Sequence, residues 1–348
     1  SPSPARAGEG WGEGPAPSPA LAGEGRGEGP APSPALAGEG WGEGLILALL
    51  LVCALFSAHA ARAEIVYPPV VPGIELEFPA DEGAHPEHRI EWWYVTGLAE
   101  DEDGRELGFQ VTFFRVRPGL GEDNPSRFAP QQILFGHAAI ADPERGRLLH
   151  AERSARAGFE LAFAREGRTD VRLEDWSLVQ DGDRYRAVVG GEDFAMRLDL
   201  QRVQPVLLQG ENGFSRKGPD PRSASYYYSL PQLEVSGEVV VDGRRRVVSG
   251  RAWLDHEWSS DFVEEGAQGW DWMGINLADG GALMAFRMRD IAGGKHWAAA
   301  TLRDGAGDVQ TFAPDEVDWT PLESWQSPRT GAEYPVRWRV RVGERSYM

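Results

Sequence analysis

Arg251-Ala252-Trp253-Leu254-Asp255-His256-Glu257-Trp258-Ser259-Ser260 is the stretch from which the rest of the chain can be read. It reads as a strand, and in an extended chain successive side chains point to opposite faces. Leu254, His256 and Trp258 therefore share one face, and Trp253, Asp255 and Glu257 share the other. The first set is the more apolar, so His256 is expected to point inward beside Trp258. An inward His is either a core residue with satisfied ring nitrogens or a catalytic group. The density of ionisable and aromatic residues keeps both readings open.

Outward from this strand, the chain from residue 65 breaks into short β-rich runs: Leu107–Val116, Gln132–Ile140, Phe159–Phe163, Tyr185–Val189, Ala195–Leu200, Leu233–Val241, Val247–Leu254 and Ala282–Met288. Asp103-Gly104, Asp181-Gly182, Asp242-Gly243 and Asp279-Gly280-Gly281 are turn signals that join neighbouring runs as hairpins. No long stretch carries a 3.6-residue apolar period. The expected fold is all-β, built of up-and-down hairpins. Two similar halves are expected as well. Glu91-Trp92-Trp93-Tyr94-Val95-Thr96-Gly97-Leu98 is echoed by Trp270-Asp271-Trp272-Met273-Gly274-Ile275-Asn276-Leu277, each followed by a turn and a second strand. The boundary falls in the Gly-, Ser- and Pro-rich segment 210–225, giving halves at 64–220 and 221–348. The second half is short, and C-terminal strands are expected to be missing from it.

The chain has 348 residues, a formal charge of −19, thirteen Trp and one Cys. The charge argues against nucleic acid or an anionic membrane surface as a partner, because like charges repel. The single Cys53 excludes an intrachain disulfide framework and a thiolate metal cluster. Residues 1–44 repeat a fifteen-residue Pro-, Gly-, Ala- and Glu-rich unit with almost nothing to bury. They read as disordered, or as translated repetitive DNA upstream of the true start. The apolar run at 45–58, followed by Ala58-His59-Ala60 and Ala61-Arg62-Ala63, reads as a signal peptide over 45–63. Export to the periplasm follows, with a mature start near Glu64.

Five segments together resemble the AttH/carotenoid 1,2-hydratase (CrtC) family of lipocalin-like domains. They are Phe78-Pro79-Ala80-Asp81-Glu82-Gly83-Ala84-His85-Pro86, Glu91-Trp92-Trp93-Tyr94, Gly108–Arg115, Tyr226-Tyr227-Tyr228-Ser229 and Leu254–Ser260. The resemblance runs from about residue 70 to the end of the chain. It implies two tandem lipocalin-like antiparallel β-barrels, the second truncated. It also implies either hydration of carotenoid precursors or the undefined role of AttH proteins, which are often encoded with ABC-transporter components. His256 and Trp258 correspond to the His-x-Trp of the family's hydratases. The family's Tyr-x-Asp is not matched, since the comparable strand, Gly281–Met288, has no carboxylate before Asp290.

Hydrating an isolated alkene needs a strong acid and stabilisation of a carbocation. A carboxylic acid in an apolar pocket supplies the first and aromatic faces the second. The candidate catalytic residues are therefore His256, Trp258, Asp255 and Asp271, the two Asp standing in only where they point into a cavity. Trp93, Tyr94, Tyr227, Trp270 and Trp272 are the candidate ligand contacts. His85, His88 and Glu91 have a spacing that evokes a metal site, but Pro86 disfavours a helix there and no metal is expected; nor is any cofactor. His137 reads as a strand residue with a satisfied ring nitrogen, an inward ligand contact being the alternative. The expected function is binding of a hydrophobic small molecule, an isoprenoid or lipid, by an exported protein that meets the membrane only peripherally and serves an ABC transporter. The alternative is a hydratase of the carotenoid 1,2 type.

Overall fold

The computed structural model describes residues 65–348 apart from 262 and 264. The repeat at 1–44, the apolar run and Cys53 lie outside the described residues. The strands in chain order are β1 (Ile90–Asp101), β2 (Glu106–Val116), β3 (Ile133–Asp142), β4 (Arg147–Arg156), β5 (Ala162–Ala164), β6 (Asp170–Leu173), β7 (Trp176–Asp181), β8 (Arg184–Gly190), β9 (Phe194–Gln201), β10 (Leu207–Leu208), β11 (Phe214–Arg216), β12 (Ala224–Val241) and β13 (Arg244–Asp261). They continue as β14 (Ala267–Asn276), β15 (Ala282–Asp290), β16 (Lys295–Arg303), β17 (Val309–Phe312), β18 (Val317–Gln326), β19 (Glu333–Val342) and β20 (Arg345–Tyr347).

One sheet takes the first thirteen strands, in the order β4-β3-β2-β1-β13-β12-β9-β8-β7-β6-β5, with β10 and β11 added beside β12. Every pairing is antiparallel, as hairpin connections require. Its two ends meet. A Cβ on Gly136 of β3 would lie 3.0 Å from both Leu173 of β6 and Trp176 of β7. The sheet is thus a nearly closed barrel, which leaves few unpaired edge groups. Along β9 the side chains of Phe194, Met196, Leu198 and Leu200 are buried while Ala195 and Arg197 are exposed, the alternation that a strand with one wet face must have. All four Asp-Gly signals sit at hairpin turns. At β12–β13 both Asp242 (φ 50°) and Gly243 (φ 74°) are left-handed, the backbone a tight two-residue hairpin needs.

The remaining strands form a sheet β14-β15-β16-β17 and a sheet β18-β19-β20. These share a core of Leu283, Ala300, Leu302, Val317, Trp319 and Val340. Beyond β13, the second half consists of these two additional sheets beside the nearly closed barrel. The expected boundary at 220 and 221 meets a continuous sheet, since β12 pairs with β9 and β13 with β1. β12 and β13 lose their alternation over Ala224–Leu233 and Ala252–Ser259, where every residue is buried. The second half covers their outer face there. That seam has its own core of Leu207, Tyr227, Trp253, Met284, Phe286 and Met288. The expected strand Phe159–Phe163 begins only at Ala162, because Phe159 and Glu160 both adopt φ of 57°, a turn conformation.

Candidate functional site

The pairing of β1, β13 and β12 puts Trp93 and Tyr228 directly opposite His256, on the barrel's inner face. His256 is fully buried and its Nε2 lies 2.9 Å from Glu91 Oε1, while its Nδ1 lies 3.0 Å from the Tyr228 hydroxyl. The tautomer assigned from these partners carries hydrogen on Nε2, which donates to Glu91; Nδ1 accepts from Tyr228. Burial holds the imidazole below its ordinary pKa, against the pull of Glu91. Its ring stacks on Trp93, centroid to centroid 4.6 Å.

Glu91 is also fully buried, and burial would raise its pKa. Hydrogen bonds from His256 and His85, with the charge of Arg115, hold it well below the usual carboxylate range. Arg115, opposite Glu91 in β2, donates from Nε at 2.8 Å and fixes the carbonyls of His88 and His85 at 3.0 and 2.9 Å. The His85 ring reaches Glu91 at 2.8 Å and Asp81 at 3.2 Å and stacks flat on Trp258 at 3.7 Å. Burial alone would lower the His85 pKa, but these two carboxylates raise it to about 9. His88 stays outside this network. Neither of its ring nitrogens has a hydrogen-bond partner among the described residues, and burial lowers it to about 4.

One ligand atom from each of His85, Glu91 and His256 lies within 4.8 Å of the other two, so these three side chains could grip a cation. Bonds of metal length would hold such donors about 3.3 Å apart. Here the N···O separations are 2.8 and 2.9 Å, and Arg115 already supplies the compensating charge. As these side chains stand, the cluster is a hydrogen-bonded ion network that pins segment 80–88 across the inner sheet.

The outer face of the same strands carries a different set. Asp255 is 3 % exposed and receives hydrogen bonds from Ser229 Oγ at 2.5 Å and Trp253 Nε1 at 2.6 Å. Burial raises its pKa to about 7, against the lowering effect of those bonds. Beside it, Trp272 Nε1 donates to the Tyr227 hydroxyl at 3.0 Å, and the Tyr94 ring meets Trp272 edge-on at 5.4 Å. Lys217 pairs with Glu257 at 2.6 Å and lies over the rings of Tyr227 and Phe286 at 4.8 and 4.5 Å. The result is a neutralisable acid and one ion pair inside an aromatic wall.

The residues singled out in the sequence thus separate into three places. His256, Trp258 and Trp93 are inside the barrel. Asp255, Tyr94, Tyr227 and Trp272 line the seam, and Trp270 packs against the seam core. Asp271 is held by Arg287 at 2.5 and 2.9 Å, and that guanidinium lies against Trp338 of β19. Asp255, His256 and Asp271 do not converge. Arg115, Asp81 and Tyr228 lie in the segments that carry the family resemblance but are not among the candidate site residues read from the sequence. A charged residue inside an otherwise apolar strand, as Arg115 is in β2, is the signal that could have found the first. His137 is half-buried on β3 with its ring edge on Phe114, as an ordinary strand residue would be.

The sequence profile of the AttH-like family matches residues 69–348. Among solved structures, a candidate AttH from Nitrosomonas europaea is 53% identical, with a TM-score of 0.75 over 80% of this chain and 84% of that one. Kievitone hydratase from Nectria haematococca shares the fold at 11% identity, with a TM-score of 0.58 over 80% of each chain. None of the curated proteins compared with the chain matches it.

Proposed function

The chain belongs to the AttH-like family, and from that premise we propose that it binds an apolar molecule of the isoprenoid or lipid class against the aromatic seam. The supporting observation is the contrast between the two faces of β12 and β13. The inner face is filled by Trp93, Phe113, Trp176 and Tyr228, each at most 1 % exposed. At the seam, β14 is partly exposed along nearly its whole length, Trp270, Trp272 and Met273 included. Aromatic and thioether side chains that are close-packed on one side and open on the other suit an apolar guest. Native purification followed by mass spectrometry of extracted lipids tests the reading. A bound isoprenoid or lipid is expected, and Trp272→Ala should lower its recovery; a protein that carries no lipid under several growth conditions would overturn it.

Export to the periplasm and service to an ABC transporter complete the proposal. They rest on the sequence of residues 45–63 and on the family resemblance. N-terminal sequencing of the native protein, with a start near Glu64 expected, tests export.

Asp255 favours a second reading, an acid-catalysed hydratase. Near neutral pH its carboxyl holds a proton that it can pass to an alkene carbon. Water then bonds to the cationic carbon and returns a proton to the carboxylate, while nearby ring faces stabilise the cation. Incubation with an acyclic carotenoid in heavy-oxygen water should yield a labelled alcohol, and Asp255→Asn should abolish it. Absence of labelled product would dismiss the enzyme and leave ligand binding standing.

A further inference from the structure

At one end of the barrel the β2–β3 connection and the β4–β5 turn present large apolar side chains to solvent. Phe128 and Leu161 are each 62 % exposed and Phe159 is 42 % exposed. The rings of Phe128 and Phe159 meet at 4.9 Å, so the two loops form one surface. It is rigidly built. Arg156 donates to the Phe128 carbonyl at 3.0 Å, and the Phe128 amide is held by Ser126 Oγ at 3.1 Å. Phe159 accepts a left-handed backbone, φ 57°, that an aromatic residue adopts only against a steric penalty. Arg127 lies over the Phe159 ring at 5.1 Å and Arg156 over the Phe128 ring at 5.2 Å. Neither is ion-paired among the described residues, whereas the neighbouring Glu160 is taken up by Arg165 at 2.7 Å.

We propose that this patch docks the protein on an anionic phospholipid surface. Exposed rings flanked by unpaired guanidinium groups match the boundary between headgroups and acyl chains. The rings enter the apolar side, and the arginines meet phosphate. The chain's net charge of −19 opposes this only at long range, because physiological salt screens charges beyond about 8 Å. Contact is decided by the charges at the patch. A protein that takes up a water-insoluble molecule would gain from such a foothold, a purpose that rests on the proposed function; the docking itself does not.

The test is co-sedimentation of the full chain with vesicles of equal parts phosphatidylcholine and phosphatidylglycerol, against phosphatidylcholine alone, with no apolar ligand added. The double variant Phe128→Ser, Phe159→Asn removes both rings while Asn tolerates the left-handed backbone. Arg127→Gln with Arg156→Gln removes the charges. All four positions are exposed, and circular dichroism checks that the fold is kept. The wild type should sediment with the mixed vesicles. Binding should fall about tenfold or more in the ring variant, and about tenfold in the arginine variant, which should also lose its preference for phosphatidylglycerol. Three results would overturn the proposal: equal binding to both vesicle types, ring variants that bind as the wild type does, or a solution dimer broken by the ring substitutions. The last would assign the patch to a second copy. Lipid recovery from native protein is a separate readout, so failure of docking leaves the ligand-binding reading intact.

Discussion

His85 and Asp255 illustrate how opposite surroundings raise two pKa values for different reasons, so that stability is lost with rising pH over two different windows. His85 sits between Asp81 and Glu91, and its folded pKa of about 9 lies above the ordinary 6.5. The folded protein keeps a proton that the unfolded chain releases. The stabilisation is therefore complete below about pH 6.5 and is lost as pH rises through about 9. A pKa difference of this size corresponds to about 3 kcal/mol. Urea denaturation at about pH 6 and about pH 10 should show the loss, and His85→Gln should flatten it. Asp255 is also raised, from 3.8 to about 7, but by burial without a cation. Its folded state holds a proton through the interval in which the unfolded state has none. Stability therefore falls between about pH 4 and about pH 7. Asp255→Asn, which keeps the shape and cannot ionise, should match the wild type near pH 4 and exceed it by a few kcal/mol above pH 7. Equal denaturation midpoints at both pH values would refute an uncharged Asp255.

The seam depends on two local irregularities in otherwise regular strands. Between Leu230 and Leu233 the β12–β13 register shifts, and Gln232 adopts φ 58°. This turns its side chain toward the second half, where Nε2 donates to the carbonyls of Leu277 and Gly281 at 2.9 and 2.8 Å. Its backbone amide donates to Asn276 Oδ1 at 2.7 Å, and Asn276 in turn donates to the Ala252 carbonyl at 3.1 Å. Gln232→Ala removes two of these bonds, while the Leu277 and Gly281 carbonyls keep backbone donors, so a loss of about 1–2 kcal/mol is expected in denaturant titration. Gly274 marks the closest approach. A Cβ there would lie 2.8 Å from the rings of both Trp253 and Trp272. Gly274→Ala should push β14 away from β13, lowering stability by about 1–3 kcal/mol and reducing lipid recovery. The hairpins joined by Asp-Gly were legible in the sequence because turn chemistry is local. The bulge was not, because Pro231-Gln232 is polar punctuation whose consequence depends on what lies across the seam.

In the molecule as a whole, the strand path binds the two halves into one body. Both belong to a single compact unit spanning Tyr67–Met348, and β12 and β13 carry buried residues on both faces. A fragment ending at Asp261 would keep the thirteen-stranded sheet but bare Tyr227, Trp253 and Leu207. It should bind a hydrophobic dye and aggregate, while residues 65–348 should not. By itself the sequence determines the all-β class, the positions of the turns and the sharing of one face by Leu254, His256 and Trp258. Each of these follows from a period of two residues or from the φ preferences of Asp and Gly, which act over a few bonds. Only the tertiary structure decides that His256 answers to Glu91, 165 positions away, and that Asp255 faces a different compartment from Asp271. Those relations depend on the register of β1 against β13 and on which sheet covers which face. Register is fixed by side chains packed from distant parts of the chain, so no local pattern carries it.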